Sequence, residues 1–404
     1  MSRVEWPLNS GGPTLRLTIV LLPLLVTLFP AVALAHGPGS WPVSGHDAQA
    51  SYYNGSEHQL GPNNAARLHV VWHFPGGQAS QIIATGSTVY ALVPHDGTYA
   101  VEEINARTGA LIRLLPPRAL HLSSGEIPAA LAYVHGTLVV AGNLRTIVGI
   151  NAKAGRFRWS AHASASSLVT SGSVIYTGKR CSLPPQRCGI LASYAIDART
   201  GHILWKHPGN GTSAPVAFHG LLYQDASVAP VGTRVYRPDN GSQAASLPLR
   251  GEWAASSARL FFGAYRTAGR PAAWVASIDA TGKPAWKVKL GNVPGSAAPP
   301  VAGPDMLYVP SYRFHPGVVA LKESNGRSRW AADTGMPREM MGANGLLMAL
   351  RASDGALLIL NVKTGRSIKT ISAAQGAGGH VMHAIVAAGT VYESSDRGIA
   401  ALRA

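Results

Sequence analysis

Residues 193–205 read SYAIDARTGHILW, and this stretch decides the fold. Ser193–Asp197 reads as a strand, Ala198-Arg199-Thr200-Gly201 as a tight turn and His202–Trp205 as a second strand. The turn ends in Gly201, where a hairpin calls for a residue at positive φ. Trp205 follows at a distance that lets its ring pack over the sheet.

Variants of the unit recur along the chain. Turns begin at Asn105 (NARTG), Asn151 (NAKAG), Asp197 (DARTG), Asp239 (DNGS), Asp279 (DATG), Lys322 (KESNG) and Asn361 (NVKTG), spaced 46, 46, 42, 40, 43 and 39 residues apart. Upstream of each turn lies a weaker pair of strands, as in Ile82–Leu92, Leu131–Gly142 and Leu168–Gly178. Each period thus holds four strands over about 40–45 residues, the period and strand count of a propeller blade. Trp159, Trp205 and Trp330 stand eight residues after their turn starts and Trp286 stands seven after, while units 1, 4 and 7 carry Arg113, Leu247 and Lys369 near that place. So regular a placement predicts blade packing for Trp72, Trp159, Trp205, Trp286 and Trp330, not chemistry.

The C-terminus indicates how the ring closes. Ala384–Glu393 supplies two strands and Gly398–Arg403 matches Gly317–Lys322 as a third. The missing fourth is best supplied by Leu68–Phe74 (LHVVWHF), whose Trp72 stands where Trp205 stands in its own unit. The expectation is an all-β, eight-bladed propeller of four-stranded blades over residues 68–404, closed by N-terminal strand exchange, which leaves no open sheet ends to protect. The degenerate units 4 and 5 leave seven blades as the other count.

Residues 1–35 read as an export signal. Arg3 and Arg16 flank the apolar stretch Leu17–Phe29, and Ala33-Leu34-Ala35 is a small-x-small cleavage site before His36. An uncleaved N-terminal anchor is the alternative; no Cys follows the cleavage site to carry a bacterial lipid. The mature protein is expected in the periplasm, at the cell surface or secreted from a bacterium. His36–Gln59, within a lead-in spanning residues 36–67, is expected to run extended along the surface. Cys181 and Cys188, the only cysteines, bracket a short loop and read as a disulfide in an oxidising compartment. A redox or metal pair is the other use of two thiols, and no CxxC or CxxCH accompanies them. The chain carries +16, or +15 without its leader, which favours anionic partners. No run of five basic residues occurs, and outside the cytoplasm nucleic acid is not an expected ligand. Nor is there a GxSxG elbow, an HExxH helix or a Walker loop.

The repeat D/N-A-x-T-G-x-x-x-W resembles the blade motif of the pyrroloquinoline-quinone-like propellers. The lead-in is similar to that superfamily's N-terminal segment at Trp41-Pro42-x-x-Gly45-His46-Asp47, Tyr52-Tyr53-Asn54 and Asn64-Ala65-Ala66-Arg67-Leu68-x-x-x-Trp72. The resemblance covers residues 41–404. It implies one of two classes: quinoprotein alcohol or sugar dehydrogenases, which hold the quinone and calcium over the propeller axis, or non-catalytic scaffolds such as the propeller lipoprotein of outer-membrane barrel assembly. The dehydrogenases use an adjacent Cys–Cys pair, long inter-blade insertions and a carboxylate base, and this chain has no adjacent pair and no such insertions. Asp225, Glu252 and Glu393 are carboxylates with no place in the repeat, and nothing in the sequence groups them. The reading is therefore an exported scaffold with no cofactor and no metal, a monomer or part of a complex. Its partner would be an envelope or extracellular protein or an anionic polymer; membrane contact is expected if the leader stays attached. Arg180, Arg187, Arg234, Arg266, Arg270 and Arg313, in loops that depart from the repeat, are the expected basic rim for that partner.

Overall fold

The computed structural model describes residues 39–404 except 124, 180–191, 209–214, 227–231, 248–250, 265–272, 279–282, 292, 294–297 and 314. Eight blades of four antiparallel strands follow one another along the chain, seven of them with strands A to D in sequence order. Blade 1 holds Gln81–Thr85, Thr88–His95, Thr98–Asn105 and Leu111–Leu115; blade 2 holds Pro128–Val134, Thr137–Gly142, Thr146–Asn151 and Arg156–His162. Blade 3 holds Ser167–Ser171, Val174–Gly178, Ala192–Asp197 and Ile203–Pro208; blade 4 holds Val216–Phe218, Leu221–Ala226, Gly232–Tyr236 and Gln243–Leu247. Blade 5 holds Glu252–Ala255, Leu260–Ala264, Ala273–Ile278 and Pro284–Gly291; blade 6 holds Val301–Ala302, Met306–Ser311, Gly317–Lys322 and Ser328–Asp333. Blade 7 holds Pro337–Ala343, Leu346–Arg351, Leu357–Asn361 and Ser367–Ile371. Blade 8 takes Val381–Ala387, Thr390–Ser395 and Gly398–Arg403 from the C-terminus and His69–Pro75 from the N-terminus as its strand D. Eight blades and closure by strand exchange are as the repeat indicated.

Strand direction alternates, so the A–B and C–D turns share one end of the ring, the turn face, and the B–C and D–A connections share the other, the loop face. The A strands adjoin one another around the axis, blade 1 touching both blade 2 and blade 8. No helix among the described residues is long and apolar enough to cross a membrane.

One contact, repeated, welds neighbouring blades. In the opening unit, Asp197 Oδ1 accepts N–H bonds from Arg199 and Thr200 (both 2.9 Å), and Gly201 N–H donates to Asp197 O at 2.8 Å with φ +76°. These bonds hold the Asp197 carboxyl below the usual carboxylate range even though partial burial works against them. Trp159 of blade 2 lies on that turn, its indole N–H donating to Ala198 O at 3.1 Å. A Cβ at Gly201 would fall 2.6 Å from Trp159 Cε3, so the glycine is required by the ring as well as by the backbone. Trp205, Trp286, Trp330 and Trp72 make the same bond to Pro238, Glu323, Val362 and Ala106 of the next blade. Each D strand also carries a bulge beside this position, eight in all.

Where the tryptophan is missing, the substitutes differ. In blade 1 Arg113 donates to Lys153 O at 3.3 Å and lies 3.6 Å from buried Glu103, its cross-strand partner. In blade 7 Lys369 Nζ donates to Ala66 O (3.0 Å) and Leu68 O (2.5 Å), tying the blade to the chain that enters blade 8. Blade 4 corrects the sequence register. Gly241 N–H donates to Arg237 O, so the turn starts at Arg237 and not Asp239, and Ala245 rather than Leu247 occupies the tryptophan position opposite Val235. Asp239 looked like the turn starter because Asp commonly caps such turns.

The lead-in does not run over the surface; it threads the axis. Trp41 bridges Ala84 and Val43 bridges Ala132, while Ala48, Gln49, Ser51 and Tyr52 carbonyls accept N–H bonds from Ala217, Ala255, Ala302 and Gly342. Tyr53–Asn54 then adds a parallel strand to blade 7, and buried Asn54 donates to Gly39, Ser40 and Val386 carbonyls. An extended, hydrogen-bond-hungry segment finds its partners on the free inner edges of the A strands, which the surface could not offer. These contacts lie toward the C-terminal ends of the A strands, so the lead-in stoppers the axis at the turn face.

Candidate functional site

Above that stopper, toward the loop face, is an axial cavity of about 310 Å³. Its floor comes from the lead-in residues Trp41, Ser44, Gly45 and Tyr52; its walls come from the first residues of strands A in blades 1, 7 and 8, including Arg338, Glu339, Met382 and His383. His46 and Asp47 brace the floor: Asp47 Oδ1 accepts N–H bonds from Gln49 and Ser51 (both 3.0 Å), its Oδ2 accepts the Ser51 hydroxyl at 2.5 Å, and His46 Nδ1 lies 3.1 Å from it. Trp41 is buried and meets the His46 ring edge to face at 5.0 Å.

Two of the polar groups on the walls, Glu339 and His383, face each other. Glu339 Oε2 accepts Ala384 N–H at 2.8 Å, and Oε1 lies 3.7 Å from His383 Nδ1. Burial works to lower the His383 pKa, but the Glu339 carboxylate overcomes it and moves the imidazole up. Arg338 reaches the His380 ring at 3.3 Å and contacts Met382 Sδ. Burial raises the Tyr52 phenol, and the Glu252 and Glu339 carboxylates raise it further. The arrangement can bind through a guanidinium, an imidazole and a phenol, and it keeps its one wall carboxylate occupied.

Of the residues singled out from sequence, the five tryptophans weld blades as described. Arg234 lies in strand C of blade 4 and Arg313 follows strand B of blade 6, so they are separated by blade 5. Arg180, Arg187, Arg266, Arg270, Cys181, Cys188, Ala35 and His36 lie outside the described residues. Asp225 accepts the Thr233 hydroxyl (3.0 Å) and Gly251 N–H (3.1 Å). Glu393 is buried, accepting Ala377 N–H at 3.2 Å. Sequence reasoning missed Tyr52, Arg338 and Glu339 as a group. The available signal was the polar start of Pro337-Arg338-Glu339, as against Val216 or Val301 at the start of other A strands.

Fold and site together define a pyrroloquinoline-quinone-like propeller whose axis is stoppered by its own N-terminal segment. The family model described as outer membrane protein assembly factor BamB matches residues 86–258 and 271–377, and the chain belongs to that family. No curated protein matches it by sequence. Among solved structures, BamB from Moraxella catarrhalis is 14% identical with a TM-score of 0.60, over 83% of this chain and 97% of that one. The quinohemoprotein alcohol dehydrogenase from Comamonas testosteroni is 12% identical with a TM-score of 0.62, over 92% and 81%. A europium-containing methanol dehydrogenase is 13% identical with a TM-score of 0.60, over 90% of each chain. At such identities the likeness is one of fold.

Among the described residues, the donor set of this cavity does not fit a quinone–calcium pair. Calcium takes about six to eight oxygen ligands, several of them carboxylates. Among the described residues no three His, Cys, Asp or Glu side chains group to hold a metal ion. Glu339, the wall carboxylate, already accepts from Ala384 and faces His383.

Proposed function

We propose that this chain is an exported, non-catalytic propeller scaffold of the bacterial envelope that holds a protein or anionic-polymer partner on its loop face. The observation that carries the reading is the axial cavity. The place where a propeller enzyme of this superfamily keeps its cofactor is here floored by the protein's own lead-in, and its one wall carboxylate, Glu339, accepts Ala384 N–H and faces His383. The family's description points to assembly of outer membrane proteins as the process served. Arg234 and Arg313, together with Arg180, Arg187, Arg266 and Arg270, are the proposed basic rim for the partner. Residues 1–35 are the proposed export signal, cut between Ala35 and His36.

Two measurements test this. Deleting the protein in its host should lower outer membrane protein levels, and the full chain should restore them while a variant with Arg234, Arg266 and Arg313 neutralised should not. Separately, purified protein mixed with the quinone and calcium should show neither tight uptake nor dye-linked alcohol oxidation. Uptake with turnover would replace the scaffold reading with a dehydrogenase.

A further inference from the structure

Seven large apolar side chains are exposed among the described residues. Five of them, Val71, Leu111, Ile112, Phe157 and Leu204, lie near the start of strand D in blades 8, 1, 2 and 3. These blades are consecutive, and strand D starts at the turn face, so the five form one arc. Val71, Ile112 and Leu204 are the extra residues of their bulges, which aim them out of the ladder. At that position blades 4, 5 and 6 have Ala244, Ala285 and Arg329, and the arc ends there.

The same arc is cationic. Arg107, Lys153, Arg156, Arg158, Arg199 and Lys206 are exposed on its turns and strands. The four D strands and the C–D turns leading into the D strands of blades 1 to 3 hold a single carboxylate, Asp197, which its own turn engages. A third observation concerns the chain path. Gly39 O accepts Ala388 N–H, in the A–B turn of blade 8, at 3.0 Å. The described chain therefore begins on the turn face, the face that carries the arc.

We propose that this arc is a docking surface for an anionic phospholipid bilayer. Exposed apolar side chains flanked by Lys and Arg suit the boundary between acyl chains and phosphate headgroups, and each cation near an anionic leaflet adds attraction. The surface lies at the opposite end of the ring from the loop face, where the partner is proposed to bind, so it stands or falls independently of the scaffold reading.

Flotation of the full chain with vesicles tests it, using phosphatidylcholine alone or mixed with phosphatidylglycerol. Binding should require phosphatidylglycerol and weaken with salt. Arg107→Glu/Lys153→Glu/Arg199→Glu should lower partition by about tenfold or more, and Ile112→Ser/Phe157→Ser/Leu204→Ser should also lower it severalfold. Charge reversal on the loop face, Arg145→Glu/Arg397→Glu, should leave binding within about twofold of the unaltered chain. Unchanged binding by both turn-face variants, an equal loss in the loop-face variant, or equal binding to neutral vesicles would overturn the proposal. So would retention on immobilised polyglutamate without any vesicle binding, which would assign the arc to an acidic polypeptide.

Discussion

Replacing Gly201 with alanine should break the weld between blades 2 and 3. Two costs add. At φ +76° an alanine carries about 1 kcal/mol of left-handed strain. Its methyl would also sit 2.6 Å from Trp159 Cε3 and 2.7 Å from Cδ2, where carbon atoms ordinarily stand about 3.5–4.0 Å apart. The ring must retreat by roughly 1 Å, which stretches the 3.1 Å bond from its indole to Ala198 O beyond hydrogen-bonding length. Leaving that buried donor without its acceptor costs about 1–3 kcal/mol more. The expected total is about 3 kcal/mol, read as a shift in the urea midpoint by far-UV circular dichroism. Gly172→Ala is the internal control. Its φ is +58°, yet no atom lies within 4 Å of the added methyl, so strain alone should apply, about 1 kcal/mol. In a Trp159→Ala background the clash is gone, and Gly201→Ala should fall to the control value. Equal shifts for Gly201→Ala and Gly172→Ala, or a Gly201→Ala cost that survives loss of Trp159, would refute the reasoning.

Three further outcomes follow from the same geometry. Burial pushes the Glu393 carboxyl up to about 7, against a hydrogen bond from Ala377 N–H. The folded state therefore binds the extra proton between its ordinary value and about 7, and stability falls as pH rises through that window, by on the order of 3 kcal/mol. Glu393→Gln should remove that share of the slope in thermal melts taken from pH 4 to 8, and an unchanged slope would contradict it. Arg113→Ala leaves buried Glu103 without its cation and should cost about 2–3 kcal/mol at pH 8. Because burial already raises the Glu103 carboxyl, the loss should shrink at pH 5, and adding Glu103→Ala, which restores the small residue used opposite Trp205, should recover most of it. Finally, if Cys181 and Cys188 form the disulfide expected of an exported protein, alkylation of the native protein should label neither until a reductant is added; two labels without reductant would exclude the bond.

The ring was legible in the sequence because one physical contact generates the period. A tryptophan must meet a turn glycine of the next blade, so the two recur together and can be counted. Legibility failed where the contact changed partners. Arg237 starts the fourth turn without an Asx side chain to announce it, and the nearby Asp239 drew the register two residues along. The axial cavity was illegible for a different reason. Tyr52, Glu339 and His383 meet only because the lead-in turns into the ring and blade 8 closes it, and no local pattern records either event. Charge gives the sharpest case. Arg107, Lys153 and Arg199 stand 46 residues apart, each two residues into its turn, so along the chain they look diffuse. The fold returns each repeat to the same face with the same turn, and the spacing that disperses these cations in sequence is what aligns them in space. In a repeat protein the absence of a basic run is therefore no argument against a basic surface. What matters is whether the charge keeps its phase within the period, and in blades 1, 2 and 3 it does.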